Sequence, residues 1–196
     1  EDVTKAYAYK TALALNADYS MVSVSGYGII SGFTNDGNKI PEQTIPQYYD
    51  KLGFSYNKFA DSITVSETEW DFERYKPDII VINLGTNDMN YATTDERKAE
   101  FEDGYLDFLK KVRSLNPDSY IFQTYGVMGT SLEENIENVR RKYMSETGDE
   151  RITFIPLTMQ DEDADGIVAD WHPSPRTHSL VSQKVTAAIK ETLGYK

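Results

Sequence analysis

One apolar run constrains the fold of this chain more than any other feature. Residues 78–84 read Asp-Ile-Ile-Val-Ile-Asn-Leu, so apolar side chains occupy consecutive positions instead of alternating with polar ones. Successive side chains of a strand point to opposite faces of the sheet, and the run therefore predicts a strand that is covered on both faces. Such strands are typical of parallel sheets with helices packed on each side.

Three other apolar runs predict further strands, at residues 19–25, 120–125 and 152–157. Before and between these strand runs lie stretches whose apolar residues recur at intervals of three and four, which predicts helices over residues 4–15 and 95–115. This alternation predicts a three-layer α/β/α sandwich with a parallel sheet.

Two more helices are predicted from their boundaries. Ser131 and Glu134 have the spacing of a capping box, and Gly148 supplies a stop. A last helix is expected from about Ser179 to Gly194. Residues 32–70 show no sustained period and predict a long surface excursion, of the kind that is usually functional or disordered in compact domains.

Composition limits the classes of partner. The net charge is −12 and the pI about 4.6, so the basic surface that nucleic-acid binding needs is missing. No run approaches the roughly 18 apolar residues of a membrane span. We expect a soluble protein that binds neither nucleic acid nor membranes. The absence of cysteine excludes disulfides, thiolate metal sites and a cysteine nucleophile, and it suits an exported bacterial protein.

Three polar clusters follow the predicted strands or precede the last helix. They are Ser-Gly-Tyr-Gly at residues 25–28, Gly-Thr-Asn-Asp at 85–88 and Asp-Trp-His-Pro-Ser at 170–174. Ligands of open α/β sheets bind beyond the carboxyl ends of the strands. Each cluster alone is compatible with a turn, a helix cap or a surface histidine, but together they predict one catalytic site at this edge.

In their residue types and their order along the chain, the clusters resemble the sequence blocks that follow the nucleophile block in the GDSL/SGNH hydrolases. The resemblance covers nearly the whole chain. Residues 84–88 and 170–173 are most similar to carbohydrate esterase family 2, whose members deacetylate xylan, glucomannan and related oligosaccharides. The resemblance implies the flavodoxin-like SGNH fold and a serine esterase. It would be a secreted bacterial enzyme acting on acetylated polysaccharide through an acyl-enzyme intermediate. We expect no cofactor and no metal.

The resemblance also implies roles for individual residues. Gly26 and Asn87 would form the oxyanion hole, where one preorganised donor is worth about 3 to 4 kcal/mol to the transition state. His172 would be the base. Either Asp170, two residues before it, or a backbone carbonyl would orient the imidazole. Trp171 is expected to contact a sugar ring, with core packing as the alternative.

For three other features we expect structural roles. Asp88 should turn the chain or cap a helix. His178 should pack or be solvated. The acidic run at residues 161–166 has some of the spacing of a calcium loop, but residue 172 is histidine where such a loop requires glutamate, which predicts a solvated loop instead.

The nucleophile is not among the matching residues. The Gly-Asp-Ser block of the GDSL/SGNH enzymes should precede residue 25, whereas the Asp-Ser-Ile-Thr of residues 61–64 follows it and has no apolar strand before it. Ser62 is therefore interpreted as a coincidence. We expect residues 1–196 to be an SGNH domain that lacks its first, central strand and nucleophile. That strand and a β-sandwich domain are expected upstream.

Two other classes of function stay open. An inactive carbohydrate-binding module on an esterase scaffold would hold sugar with its aromatic side chains; the candidates are Tyr27, Tyr48, Tyr49, Tyr56, Trp70 and Trp171. A flavodoxin-like nucleotide binder is disfavoured, because no phosphate loop of the Gly-x-x-x-x-Gly-Lys type follows a predicted strand.

Overall fold

The computed structural model describes residues 2–54, 58–59 and 62–195. Its strands are β1 (Lys58–Phe59), β2 (Ile63–Thr64), β3 (Ile79–Asn83), β4 (Tyr120–Tyr125) and β5 (Ile152–Pro156). Its α-helices are α1 (Tyr7–Ala14), α2 (Asp95–Leu115), α3 (Glu133–Thr147), α4 (Glu162–Asp165) and α5 (Pro175–Leu193).

The central sheet is parallel, with the order β3-β4-β5. Ile79 of β3 is level with Tyr120 of β4, and Ile121 of β4 is level with Ile152 of β5. The predicted strands at residues 78–84, 120–125 and 152–157 are therefore confirmed. β1 and β2 form a separate antiparallel pair.

Helices cover both faces of this sheet. On one face, α2 and α3 pack against each other and bury a core that includes Phe101, Tyr105, Leu109, Ile121, Tyr125, Ile136 and Tyr143. On the other face, α1 packs on α5, and the core there includes Phe122, Ile155, Leu157, Val181, Val185 and Ile189. The predicted three-layer α/β/α sandwich is confirmed. Among the described residues, no helix combines the length and apolarity that a membrane crossing requires.

The predicted strand at residues 19–25 is wrong. These residues adopt no regular structure, and Tyr19 and Val22 are about half exposed. A strand needs a neighbouring strand with which to exchange backbone hydrogen bonds, and in the described part of the chain no strand lies at the outer edge of β3. An apolar run without that partner stays irregular.

The helix boundaries differ from the prediction in two places. α5 begins at Pro175, earlier than expected, because Ser174 accepts a hydrogen bond from Thr177 N at 3.2 Å and proline suits the first turn. The capping box at Ser131 is wrong, since the residue before α3 is Leu132 and makes no side-chain cap. Gly148 ends α3 with φ +68°, as predicted.

The described residues between 32 and 70 form the predicted irregular excursion, with a short 3₁₀ turn at Ile45–Gln47 and the paired strands β1 and β2. Ile45 and Tyr48 anchor it, being 4% and 8% exposed. The acidic run at residues 161–166 is a short helix and not the expected loop: Asp161 caps it through Ala164 N, and Asp165 pairs with Arg176 at 2.6 Å.

Candidate active site

The structure brings two of the three predicted clusters into direct contact at the carboxyl edge of the sheet. The side-chain amide of Asn87 donates to Tyr27 O at 2.8 Å, and that of Asn90 donates to Thr34 O at 2.9 Å. The loop after β3 is thereby fastened to the segment that carries Gly26. Both predicted oxyanion donors lie in these two joined loops.

Asp88 is the centre of this junction. Its side chain is fully buried and accepts hydrogen bonds from the backbone N–H groups of Ile29, Ile30 and Ser31 at 2.8–3.1 Å. Burial raises the pKa of the Asp88 carboxyl, and the three backbone donors oppose that rise. The expected structural role is confirmed, but as a loop anchor: α2 begins only at Asp95, after its own cap Thr94.

The two glycines of the Ser-Gly-Tyr-Gly cluster meet different requirements, Gly28 for space and Gly26 for a positive φ. A Cβ on Gly28 would lie 2.4 Å from Asp88 Oδ2, so this position must be small for the loop to approach the carboxylate. Gly26 has φ +78° and open space around it. Its N–H makes no hydrogen bond with any residue that the structure describes, which leaves this donor available to a substrate oxygen.

His172 lies on an exposed loop before α5, and its ring is oriented by the backbone. Nδ1 is 3.1 Å from the carbonyl oxygen of Ala169. A carbonyl can only accept, so this contact requires a proton on Nδ1 and leaves the lone pair of a neutral ring on Nε2. Nε2 is then the nitrogen that can take a proton from a nucleophile.

Asp170 is not the partner of this ring in the structure. Within the described part of the chain its carboxylate makes no hydrogen bond or ion pair, and its backbone is left-handed, with φ +56°. The geometry at Nδ1 corresponds to the backbone-carbonyl alternative. Trp171 also has a left-handed backbone, with φ +57°, and its side chain is 67% exposed, which is incompatible with core packing.

The His172 segment is not joined to the other two clusters. Among the described residues, no hydrogen bond connects residues 169–172 with Gly26 or Asn87. The two joined loops and the loop that carries His172 are therefore separate parts of the described structure.

His178, the second histidine, packs as expected. Its Nδ1 accepts a hydrogen bond from Tyr7 N at 3.3 Å, and the two rings stack with centroids 6.1 Å apart. Burial lowers the pKa of His178, with smaller contributions from Lys10 and His172. A half-buried ring whose Nδ1 already accepts a bond is a structural group.

The aromatic residues considered for sugar binding divide into two groups. Tyr49 belongs to the core: it meets Phe108 edge-on at 5.3 Å, and burial raises its pKa to about 12. Tyr48 is also buried. Tyr27 packs near the exposed ring of Phe54, at 6.3 Å, and so adds an aromatic surface beside the Asn87 contact. Trp70 is half-buried, and Tyr56 lies outside the described residues.

Sequence reasoning left two parts of this site undetermined. A backbone carbonyl was one of the two groups expected to orient the imidazole, but no side-chain signal could indicate that it is the carbonyl of Ala169. The loop-anchoring role of Asp88 also had no local signal, because Gly28 and the backbone N–H groups that it meets lie in a distant part of the chain.

The sequence of this chain is similar to those of known hydrolases. The family model for the GDSL-like lipase/acylhydrolase family matches residues 24–180. The cellulase/esterase CelE of Acetivibrio thermocellus is 32% identical over the whole chain, and an acetylxylan esterase/glucomannan deacetylase of Cellvibrio japonicus is 24% identical over 97% of it. The chain spans only 22% and 49% of these two relatives.

Solved structures of esterases share the fold of this chain. An acetyl xylan esterase from the rumen bacterium Butyrivibrio proteoclasticus superposes with a TM-score of 0.88 at 27% identity, covering 99% of this chain and 56% of that one. A family two carbohydrate esterase from Clostridium thermocellum, in complex with cellohexaose, gives 0.82 at 32% identity, covering 100% and 56%. With the family model matched over most of its length, this chain belongs to the GDSL-like lipase/acylhydrolase family.

Proposed function

We propose that this chain is the larger part of the catalytic domain of a secreted serine esterase. The enzyme removes O-acetyl groups from plant cell-wall polysaccharides or oligosaccharides such as xylan and glucomannan. The observation that supports this most is the orientation of His172, whose Nδ1 faces a carbonyl oxygen and whose Nε2 is left as a base. The names of the similar esterases support acetylated sugar as the substrate class.

In the proposed reaction, a serine hydroxyl gives its proton to His172 Nε2 as its oxygen bonds to the acetyl carbon. Gly26 N–H and the Asn87 side chain donate to the oxyanion that forms. The intermediate collapses, the bond to the sugar oxygen breaks, and the imidazolium returns the proton to that oxygen. Water then attacks the acetyl-serine by the same route and releases acetate.

We assign the orientation of the imidazole to Ala169 O rather than to the Asp170 carboxylate. The carbonyl dipole points its negative end at Nδ1–H and so favours both the required tautomer and the transient imidazolium. Trp171, with its flat side chain exposed next to the base, would contact the apolar face of the sugar ring.

The serine belongs, in this proposal, to a segment upstream of residue 1. The outer edge of β3 supports this, because Val81 in the middle of that strand is 37% exposed and no described strand lies on the side of β3 away from β4. An added parallel strand beside β3 would cover Val81, and its carboxyl end would lie at the same edge of the sheet as Asn87, which follows β3. The part of each relative that this chain does not span is long enough for such a strand and for a further β-sandwich domain.

The test uses the complete protein, with hydrolysis of 4-nitrophenyl acetate and release of acetate from acetylated xylan. His172→Ala should lower the rate at least about 100-fold, the size of a lost proton transfer, and leave stability nearly unchanged because the side chain is exposed. His178→Asn is the matched control and should stay active. More than a tenth of wild-type activity in His172→Ala would remove this residue from the mechanism.

A second measurement locates the nucleophile. A fluorophosphonate reagent should label one serine outside residues 1–196, and the labelled peptide can be identified by mass spectrometry. Labelling of Ser62 or Ser25 would contradict an upstream nucleophile. Sugar binding without any ester turnover would instead identify a carbohydrate-binding module.

A further inference from the structure

Residues 168–172, the loop that carries His172, make one hydrogen bond with the rest of the described chain. The others stay within the loop: Val168 N donates to His172 O, and both the N–H and the ring of His172 contact Ala169 O. From outside the loop, the side-chain amide of Gln160 donates to Trp171 O, with Nε2 at 2.8 Å.

This tether acts on strained backbone. Asp170 and Trp171 adopt φ of +56° and +57°, a left-handed conformation that side chains with a Cβ disfavour. Such a conformation persists where the surroundings fix it. The Trp171 side chain is 67% exposed and cannot do so by packing, which leaves the hydrogen bond to its carbonyl as the external restraint.

Gln160 is itself fixed from two directions. Its N–H donates to Val127 O in the loop after β4 at 2.9 Å, and Leu157, three residues earlier, donates to Tyr125 O at 2.7 Å. The approach of these loops is so close that a Cβ on Gly126 would lie 2.3 Å from Leu157 O. The side chain of Gln160 therefore extends from a rigid junction between two neighbouring strands.

We infer that Gln160 is a positioning residue for His172. It holds Trp171 O, and through it the adjacent His172 ring, in place above the ends of β4 and β5. The inference rests on the proposed esterase function, in which Nε2 must meet a serine hydroxyl. A misplacement of about 1 Å can cost about 100-fold in rate, so a single missing tether is enough to matter.

The first experiment compares Gln160→Met with Met159→Leu in the complete protein. Methionine keeps the length of glutamine but cannot donate a hydrogen bond, whereas Met159 is an adjacent, half-exposed side chain and serves as the control. Gln160→Met should lower kcat about 10- to 100-fold with KM changed less than about threefold, since positioning of the base affects the chemical step. Met159→Leu should match the wild type.

Gln160→Glu provides a second variant of nearly the same shape. Its ionised carboxylate cannot donate to Trp171 O, so at neutral pH it should show the same loss of kcat. A kcat within twofold of the wild type in either variant, with the protein folded, would overturn the inference.

A direct readout of the loop is the ¹⁹F NMR signal of 5-fluorotryptophan at residue 171, assigned by its disappearance in Trp171→Phe. Both Gln160 variants should shift or broaden this signal, and Met159→Leu should not. An unchanged ¹⁹F signal in Gln160 variants with reduced kcat would overturn this inference but not the proposed function. Absence of ester hydrolysis in the wild type would overturn the proposed function, and with it the catalytic part of this inference.

Discussion

Removing the Asp88 carboxylate should loosen the junction between the two loops that carry Gly26 and Asn87, leaving the Asn87 and Asn90 side-chain bonds to hold it. Its oxygens accept from Ile29 N at 2.9 Å, Ile30 N at 2.8 Å and Ser31 N at 3.0 Å. A buried donor left without a partner costs about 1 to 3 kcal/mol. Because Ile30 is only half-buried, its N–H should lose less than a fully buried donor, and Asp88→Ala should lower the free energy of unfolding by about 3 to 5 kcal/mol rather than by the full sum of three such penalties.

The measurement is urea unfolding of the complete protein followed by circular dichroism, together with initial rates on 4-nitrophenyl acetate. Asp88→Asn keeps one side-chain acceptor oxygen and should cost less, about 1 to 3 kcal/mol. Asp36→Ala is the control, because Asp36 is an exposed carboxylate that also accepts backbone and side-chain hydrogen bonds in this segment. A cost below about 1 kcal/mol for Asp88→Ala, or an equal cost for Asp36→Ala, would refute the loop-anchor reasoning.

Three other predictions concern the site and its surroundings. Asn87→Ala should lower kcat about 100- to 1000-fold with KM changed less than about threefold; a tenfold rise in KM at constant kcat would make it a binding residue. Asp170→Asn should reduce activity less than about fivefold, because Ala169 O already faces Nδ1, whereas a loss of several orders of magnitude would make Asp170 the acid. The pKa of His178 is lowered by burial, so the unfolded chain binds more protons than the folded one below about pH 6.5. The free energy of unfolding should therefore decrease as the pH is lowered from about 7 to about 5. In His178→Asn, urea unfolding at several pH values should show a smaller decrease; the same pH dependence in both proteins would contradict this.

The strands were predictable where their signal is local. The apolar runs at 78–84 and 120–125 are enough to indicate strands, and both strands formed. β4 is buried almost throughout, whereas the expected burial of β3 on both faces is incomplete, because Val81 is 37% exposed. Residues 19–25 carry a similar signal, but whether such a run becomes a strand depends on a hydrogen-bond partner that the run itself does not encode. The early start of α5 was a missed local signal, since Ser174 and Pro175 form a favourable cap and first turn.

The site was predictable to the extent that it depends on side chains. Gly26 and Asn87 were expected to lie close together, and the bond from Asn87 to Tyr27 O joins their loops. The group that faces His172 Nδ1 was not decided by the sequence, because a backbone carbonyl is present at every position. Only the loop geometry, with two left-handed residues between Ala169 and His172, brings that carbonyl to the ring.

The group that faces His172 Nδ1 is a main-chain carbonyl, so its function does not depend on the side chain at position 169. A carbonyl oxygen is supplied by whatever residue stands at position 169, so selection on the orientation of the imidazole would leave no preferred side chain there. Libraries of side-chain substitutions at position 169 would likewise report it as tolerant, because every substituted residue still supplies a carbonyl oxygen. The chemical change that can probe it is in the main chain: replacing residue 170 by its α-hydroxy acid turns the carbonyl of Ala169 into that of an ester, a weaker acceptor, without altering any side chain.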